Sequence, residues 1–277
     1  MTNSEFSNEF DILASSYLLE GGFTMSDSSL YAFNEYEKSL FLTLAEEQYV
    51  LSLYNGKNSS GDIFESTEEM RRYLHNLVAE YYTDSPVDTL KARNFLKEKY
   101  QGMKTNASLK STFFELPANL WFITYESVQT VPDETKKDRC NSGEKGIIQD
   151  VVPVTQDEFH RIKRNPFRGP SYRRALRLDL SDRGNDILSQ DTSTEHGSVV
   201  EIVSKYKLGS YYVRYIRKVE PIILIDLPDP LMINGKTKAC ECQLHEAVHR
   251  NILELAVRLA IASRTQHATS KSKKDDD

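Results

Sequence analysis

The first hundred residues carry apolar side chains at the spacing of amphipathic helices. Residues 1–25 are polar with scattered apolar positions and predict an arm with a short helix near residues 10–19. From Ser26 or Ser28 to Tyr54 apolar residues recur every three or four positions, which predicts one long helix.

A second helix is predicted to begin at residues 66–69, where Ser and Thr precede two acids, and to continue to Tyr81. Pro86 interrupts this pattern, and a third helix is predicted over about residues 87–100. Together these elements define an N-terminal arm and helical region over residues 1–105.

The pattern then changes to that of a sheet, because short runs become rich in β-branched and aromatic residues. Strands are predicted at residues 113–116, 120–125, 147–154, 172–180, 199–205, 208–218 and 221–227. The polar residues 129–146 predict a long loop. A short helix is predicted at 155–164 and a last one at 243–263. Residues 106–277 are thus expected to form a β-rich region with a C-terminal helix and a polar tail.

The fold class that follows is α+β. Strands and helices do not alternate regularly, which argues against a doubly wound parallel sheet. We expect an N-terminal helical region, a mixed or antiparallel sheet, a C-terminal helix packed on that sheet, and extended arms at both termini.

Charge is distributed unevenly along the chain. Residues 1–150 hold 14 Lys and Arg against 24 Asp and Glu, a net of −10, whereas residues 151–277 hold 21 against 17, a net of +4. These values sum to the formal −6 of the whole chain. Copies could therefore pack with complementary faces, or each half could simply have its own solvated surface.

No apolar run reaches the roughly 18 residues of a transmembrane helix, and the N-terminus lacks the basic and then apolar segments of a signal peptide. We therefore expect no membrane partner and an initial location in a cytoplasm.

Two histidines and two cysteines lie close together near the start of the last helix. His245 and His249 match the H-E-x-x-H pattern of zinc proteases, but no third ligand follows at the spacings that those enzymes use. Adding Cys240 and Cys242 would supply four zinc ligands at an unusual spacing. We therefore expect no metal centre or other cofactor, and keep a zinc site at these four residues as an alternative. No phosphate-binding glycine loop or nucleophile elbow occurs, so no catalytic residue is assigned and no enzyme is expected.

Residues 160–177 form a basic segment without any acid, and Asn-Pro and Gly-Pro pairs predict a rigid turn within it. Its candidate interface residues are Arg161, Lys163, Arg164, Arg168, Arg173, Arg174 and Arg177. They could bind DNA phosphates without sequence preference, dock on the acidic face of a neighbouring subunit, or form a solvated loop. Docking is preferred because the N-terminal half offers an acidic face.

The C-terminal half contains six short phrases in a fixed order: residues 152–159 (VPVTQDEF), 164–170 (RNPFRGP), 211–218 (YYVRYIRK), 221–224 (PIIL), 242–249 (CQLHEAVH) and 255–260 (LAVRLA). With these phrases the chain resembles virion structural proteins of crAss-like phages of Bacteroides, and among them the connector ring proteins. The likeness covers about residues 150–263, with a looser likeness at the helical start.

This resemblance implies a homo-oligomeric, dodecameric ring in the head–tail connector, stacked below the portal. The portal and other connector or tail proteins would be its partners, and DNA would pass transiently and without specificity. The expected location is the virion, with assembly in the host cytoplasm, and no catalytic residues are implied. A nucleic-acid-binding module that uses residues 161–177 remains the first alternative.

Overall fold

In the computed structural model, the residues that can be described are 1–20, 32–57, 64, 67–87, 109–131, 146–163, 165, 167–179 and 199–272. The chain divides into two compact units: residues 1–77 with 219–277, and residues 78–218. The predicted division of the chain near residue 105 falls outside the described residues and stays a prediction.

The first unit is helical. Its helices are α1 (Asn3–Glu20), α2 (Glu35–Tyr54), α3 (Glu68–Leu74) and α5 (His249–Ser272), with short 3-10 turns at His75–Leu77 and Glu246–Val248. Asn34 caps α2 by accepting a hydrogen bond from the Glu37 amide, while the Glu37 side chain accepts one from the Asn34 amide. The predicted helix start at Ser26 or Ser28 lies outside the described residues, as do all but the first residue of the third helix predicted over about residues 87–100.

The core of this unit lies between α1, α2 and α5. Leu42, Val50 and Leu53 of α2 are buried, as are Ile252 and Val257 of α5. The N-terminal segment predicted as an arm is instead a packed helix, because the phenyl rings at positions 6 and 10 are fully buried. The C-terminal helix, which was predicted to pack on the sheet, has α2 and α1 as packing partners.

The second unit contains a mixed sheet of seven described strands in the order β1-β7-β3-β4-β5-β6-β2. The strands are β1 (Val78–Thr83), β2 (Lys110–Glu115), β3 (Leu120–Thr130), β4 (Ile148–Val154), β5 (Arg174–Asp179), β6 (Val199–Ser204) and β7 (Leu208–Arg217). Only the β4–β5 pair is parallel among these, and α4 (Gln156–Ile162) connects its strands. Helices and a mixed sheet confirm the α+β class.

The last helix, predicted over residues 243–263, begins only at His249 and continues to Ser272. Two further predicted elements differ in the structure. Residues 78–81, predicted as the end of a helix, form strand β1, because Val78 to Thr83 pairs with Ile216 to Tyr211 of β7. Residues 221–227, predicted as a strand, have a single isolated bridge between Ile223 and Cys240.

Residues 221–227 do not form a strand because helix α2 supplies hydrogen-bond partners for their backbone. Its Thr43 hydroxyl accepts a hydrogen bond from the Ile222 amide, and its Ser39 hydroxyl accepts one from the Leu224 amide. Since a buried backbone must find hydrogen-bond partners, these hydroxyls replace a strand neighbour. Residues 221–224 are therefore buried next to a helix, whereas Ile225 is 50% exposed.

Candidate functional site

The basic segment, residues 160–177, begins in the last turn of α4, ends in β5 and contains a tightly bonded turn between them. Helix α4 begins at the Thr155 cap, whose hydroxyl accepts from the Glu158 amide. After the helix ends, the Asn165 amide donates to the Ile162 carbonyl at 2.8 Å, and the Gly169 amide donates to the Asn165 carbonyl at 2.8 Å. We call Asn165 and residues 167–170 the Phe167 turn.

Three further features hold the Phe167 turn in one conformation. The Asn165 side-chain oxygen accepts from the amides of Phe167 at 2.9 Å and Arg168 at 3.3 Å. A Cβ at Gly169 would lie 2.7 Å from the Asn165 carbonyl oxygen, so a larger residue does not fit. Arg174 Nη1 donates to the Phe167 carbonyl at 2.9 Å and ties the turn to strand β5.

The Phe167 side chain is 86% exposed, the highest value among the exposed large apolar side chains described. Arg161, Arg168 and Arg173 are near Phe167 in the chain and are exposed, whereas Lys163 is half-buried. An aromatic ring that a rigid turn holds in water, with arginines beside it, has the composition of an interface anchor.

Not all candidate residues share this environment. Arg177 is on β5 with its side chain only 11% exposed, and its Nε lies 3.5 Å from Glu126 Oε1 on β3. The Tyr211 hydroxyl donates to the other Glu126 oxygen at 2.7 Å, and burial together with the Glu126 charge raises the pKa of Tyr211. Arg177 thus belongs to a buried polar cluster of the sheet and not to the surface around Phe167, while Arg164 lies outside the described residues.

One sheet face carries exposed tyrosines that the sequence interpretation did not single out. Tyr82 of β1 lies opposite Tyr212 of β7, and the Tyr212 and Tyr125 rings have centroids 6.2 Å apart. Tyr82 and Tyr125 are both exposed. The alternation of β7 was visible in the sequence, but only the strand register shows that these rings share one face.

Opposite charges lie across from one another in the strand register of this tyrosine face. Glu80 lies opposite Arg214, and Asp150 lies opposite Arg174. The face is therefore aromatic and close to electrically neutral, which suits a protein partner better than the phosphates of DNA.

The four residues of the alternative zinc site have separate structural roles. His245 Nδ1 accepts from the Ala247 amide and caps the turn before α5. The buried His249 ring is within hydrogen-bond distance of the Leu244 carbonyl and the Met1 amine, and burial lowers its pKa. The Cys240 thiol is directed to Glu220 and the Cys242 thiol to Glu46.

Burial raises the pKa of both thiols. Within the described parts of the chain, no three His, Cys, Asp or Glu side chains are grouped so that they could hold a metal ion. The H-E-x-x-H pattern also fails geometrically, since His245 precedes the 3-10 turn and His249 is the first residue of α5.

Glu46 is a buried acid that the sequence interpretation did not identify. It lies on the core side of α2 with no exposed surface, and its Oε1 accepts from the Cys242 thiol at 3.3 Å. Burial raises the pKa of Glu46 to about 8, so the carboxyl is largely protonated at neutral pH. Its role is in the packing of the first unit.

The described helices include none that is both long and apolar enough to span a membrane. A mixed α+β fold with a rigid exposed aromatic turn and a tyrosine-lined sheet face is typical of a protein that functions through protein contacts.

Comparison with known proteins agrees with that class. The phage tail ring protein 3/4 family matches residues 1–272. Ring protein 3 of Bacteroides phage crAss001 is 42% identical over 272 residues, which are 98% of this chain and all of that protein. Ring protein 4/5 of the same phage is 28% identical and covers 95% of this chain and 93% of its own length.

The chain belongs to the phage tail ring protein 3/4 family. It is a structural ring protein of a crAss-like phage virion and not an enzyme, and the resemblance inferred from residues 150–263 is confirmed over nearly the whole chain.

Proposed function

We propose that this ring is part of the head–tail connector, where it docks on the portal or on a neighbouring ring and surrounds the channel through which DNA passes. The observation that carries the proposal is the family match over residues 1–272, since a ring in a tail must join the proteins above and below it. Assembly of the ring would take place in the host cytoplasm.

A ring requires a heterologous contact, in which one surface of a subunit binds a different surface of the next. The Phe167 turn is suited to one side of that contact because Arg161, Arg168 and Arg173 bring positive charge to a protein whose first 150 residues carry a net charge of −10. A twelvefold ring would match the symmetry of a dodecameric portal.

The channel itself would carry few strong basic contacts, because tight phosphate binding would slow the passage of DNA. The tyrosine face meets this requirement by its paired charges, but its aromatic composition also suits a protein neighbour. The basic turn is therefore assigned to subunit docking and not to the channel wall.

The location is tested by a focused cryo-EM reconstruction of the junction between head and tail in the intact virion. The fold of residues 1–272 should fit a ring next to the portal, with twelve copies and a continuous axial channel. Density for this chain in another part of the virion, or in a form that does not close into a ring, would contradict the proposal.

The nucleic-acid alternative has its own support in the exposed Arg161, Arg168 and Arg173 within thirteen residues of one another. If DNA binding is their role, the affinity of the full chain for a duplex should fall steeply between 50 and 200 mM salt, roughly in proportion to the phosphates contacted. Arg173→Ala should then weaken binding to all sequences alike. The docking proposal expects only weak binding that Arg173→Ala barely changes.

A further inference from the structure

Helix α2 carries two leucines on a side that its own core does not use. The core side chains of this helix, such as Leu42 and Leu53, are fully buried. Leu40 and Leu44 are instead 44% and 41% exposed, and their spacing of four places them one turn apart on the same side. They form a contiguous apolar stripe on the surface of the first unit.

The stripe ends in a carboxylate on both sides. Glu37 lies three residues before Leu40 and Glu47 three residues after Leu44, so all four share one side of the helix. Glu37 accepts from Arg264 at 3.2 Å and Glu47 accepts from Asn234 at 3.1 Å, which holds both side chains along the helix.

The one basic residue of α2 does not offset these acids on the stripe. Lys38 is buried and bonds to Asp11 at 2.7 Å and Glu35 at 3.0 Å. Burial lowers its pKa, but the hydrogen bonds to Asp11 and Glu35 outweigh this effect and raise it, so Lys38 stays charged within that cluster. The exposed side of α2 is therefore apolar in the centre, with the Glu47 carboxylate at one end and the ion pair of Glu37 with Arg264 at the other.

The Phe167 turn has the complementary pattern, because its exposed ring is followed in the chain by the exposed Arg168. We propose that the Phe167 turn of one subunit binds the Leu40–Leu44 stripe of a second copy of this chain. The phenyl ring would cover the two leucines, and Arg168 would face Glu47. This inference deepens the proposed function, since it rests on the formation of a ring.

The two surfaces differ, so the contact is heterologous and can repeat around a ring without leaving either surface unused. The turn also needs little ordering on binding, because its own hydrogen bonds already fix the exposed position of Phe167. Docking would bury apolar surface from both partners that water covers in the free protein.

The direct test replaces Phe167 by p-benzoylphenylalanine in the full chain and irradiates the assembled ring. Isotope-labelled and unlabelled copies are mixed before assembly, so that cross-links between copies are distinguished from those within one copy. We expect the main cross-linked peptide to contain residues 40–44 of another copy. A cross-link to any other part of the ring would overturn the inference while leaving the ring itself intact.

A charge exchange gives a second readout. Arg168→Glu alone and Glu47→Lys alone should each lower the fraction of assembled ring by about tenfold at low salt. The double variant Arg168→Glu/Glu47→Lys should recover most of the assembly, because the pair is re-formed with reversed signs. If the assembly losses of the two single variants simply add in the double variant, Arg168 and Glu47 are not in direct contact.

Exposed Glu69 on α3 supplies the matched control, and Glu69→Lys should leave assembly unchanged. If the unmodified chain forms no ring alone or with its portal, the proposed function fails as well. That outcome is distinct from a ring whose Phe167 cross-links map elsewhere.

Discussion

Glu46 shows how a single buried acid can make the stability of this fold depend on pH. Its pKa is about 8 in the folded protein against 4.5 without burial. Between these values the unfolded chain loses the proton while the folded chain keeps it. The contribution of Glu46 to the folding stability is therefore fully present below about pH 4.5, and it is lost as the pH rises from there through 8.

We expect Glu46→Gln to remove most of this fall. Each unit of pKa difference corresponds to about 1.4 kcal/mol, so the effect between pH 5 and pH 8 is measurable by urea unfolding. Glu9→Gln replaces an exposed carboxylate on α1 and should leave the pH dependence in place. Equal pH profiles for the native chain and Glu46→Gln would contradict this account.

The buried pair of Arg177 and Glu126 is the second residue-scale case. Glu126→Leu leaves a guanidinium buried without its carboxylate, and we expect a loss of about 3 kcal/mol or more in unfolding free energy. The double variant Glu126→Leu/Arg177→Met removes both charges and should recover much of that loss.

Urea unfolding of the native chain, the two single variants Glu126→Leu and Arg177→Met, and the double variant measures this coupling. If the double variant is as unstable as the sum of the two single variants, the two side chains do not act as a pair.

At the scale of elements, the rigid Phe167 turn depends on Gly169. A methyl group there would meet two backbone oxygens, at 2.7 and 2.9 Å, which cannot move without opening the turn. We expect Gly169→Ala to lower stability by about 1–3 kcal/mol and to weaken ring assembly.

Gly209→Ala provides the comparison in thermal unfolding. Its added carbon would lie 3.2 Å from a Val131 methyl group, which can shift by rotation, so the loss should be smaller. Equal losses for the two variants would mean that the turn is less constrained than its hydrogen bonds indicate.

Much of the secondary structure was accessible from the sequence, because β6 is rich in β-branched residues and β7 alternates as a strand does. Residues 78–81 were misassigned because Leu74, Leu77, Val78 and Tyr81 also fit helical spacing. Their pairing with β7 is a contact over more than a hundred residues, and local pattern does not encode it.

The same limit applies to residues 221–227, whose apolar run is typical of a buried strand. Its actual partners, Ser39 and Thr43, are hydroxyls on a helix about 180 residues earlier. The candidate interface was predicted as a basic segment, but neither the prominence of Phe167 nor the burial of Arg177 can be read from residue order.

At the scale of the whole molecule, the uneven charge of the chain indicates which surfaces of two subunits attract one another. The acids of the first 150 residues include Glu37 and Glu47 on α2, and the basic excess after residue 150 includes the arginines around Phe167. Subunits that attract one another through such opposed surfaces should assemble less readily as salt screens them.

We expect the fraction of assembled ring to fall between 50 and 500 mM NaCl, as measured by size-exclusion chromatography with light scattering. Phe167→Ser should weaken assembly at all salt concentrations, because it removes the apolar part of the contact. Ile12→Ser changes an exposed apolar residue on α1 and serves as the control. Assembly that salt leaves unchanged would argue against electrostatic docking.

The central claim is that copies of this chain form a ring that docks on the portal. Native mass spectrometry of the full chain, alone and mixed with its portal, tests it most directly. We expect a closed ring of twelve copies, or a monomer that assembles into such a ring when the portal is added. A stable monomer that neither self-associates nor binds the portal would contradict the claim.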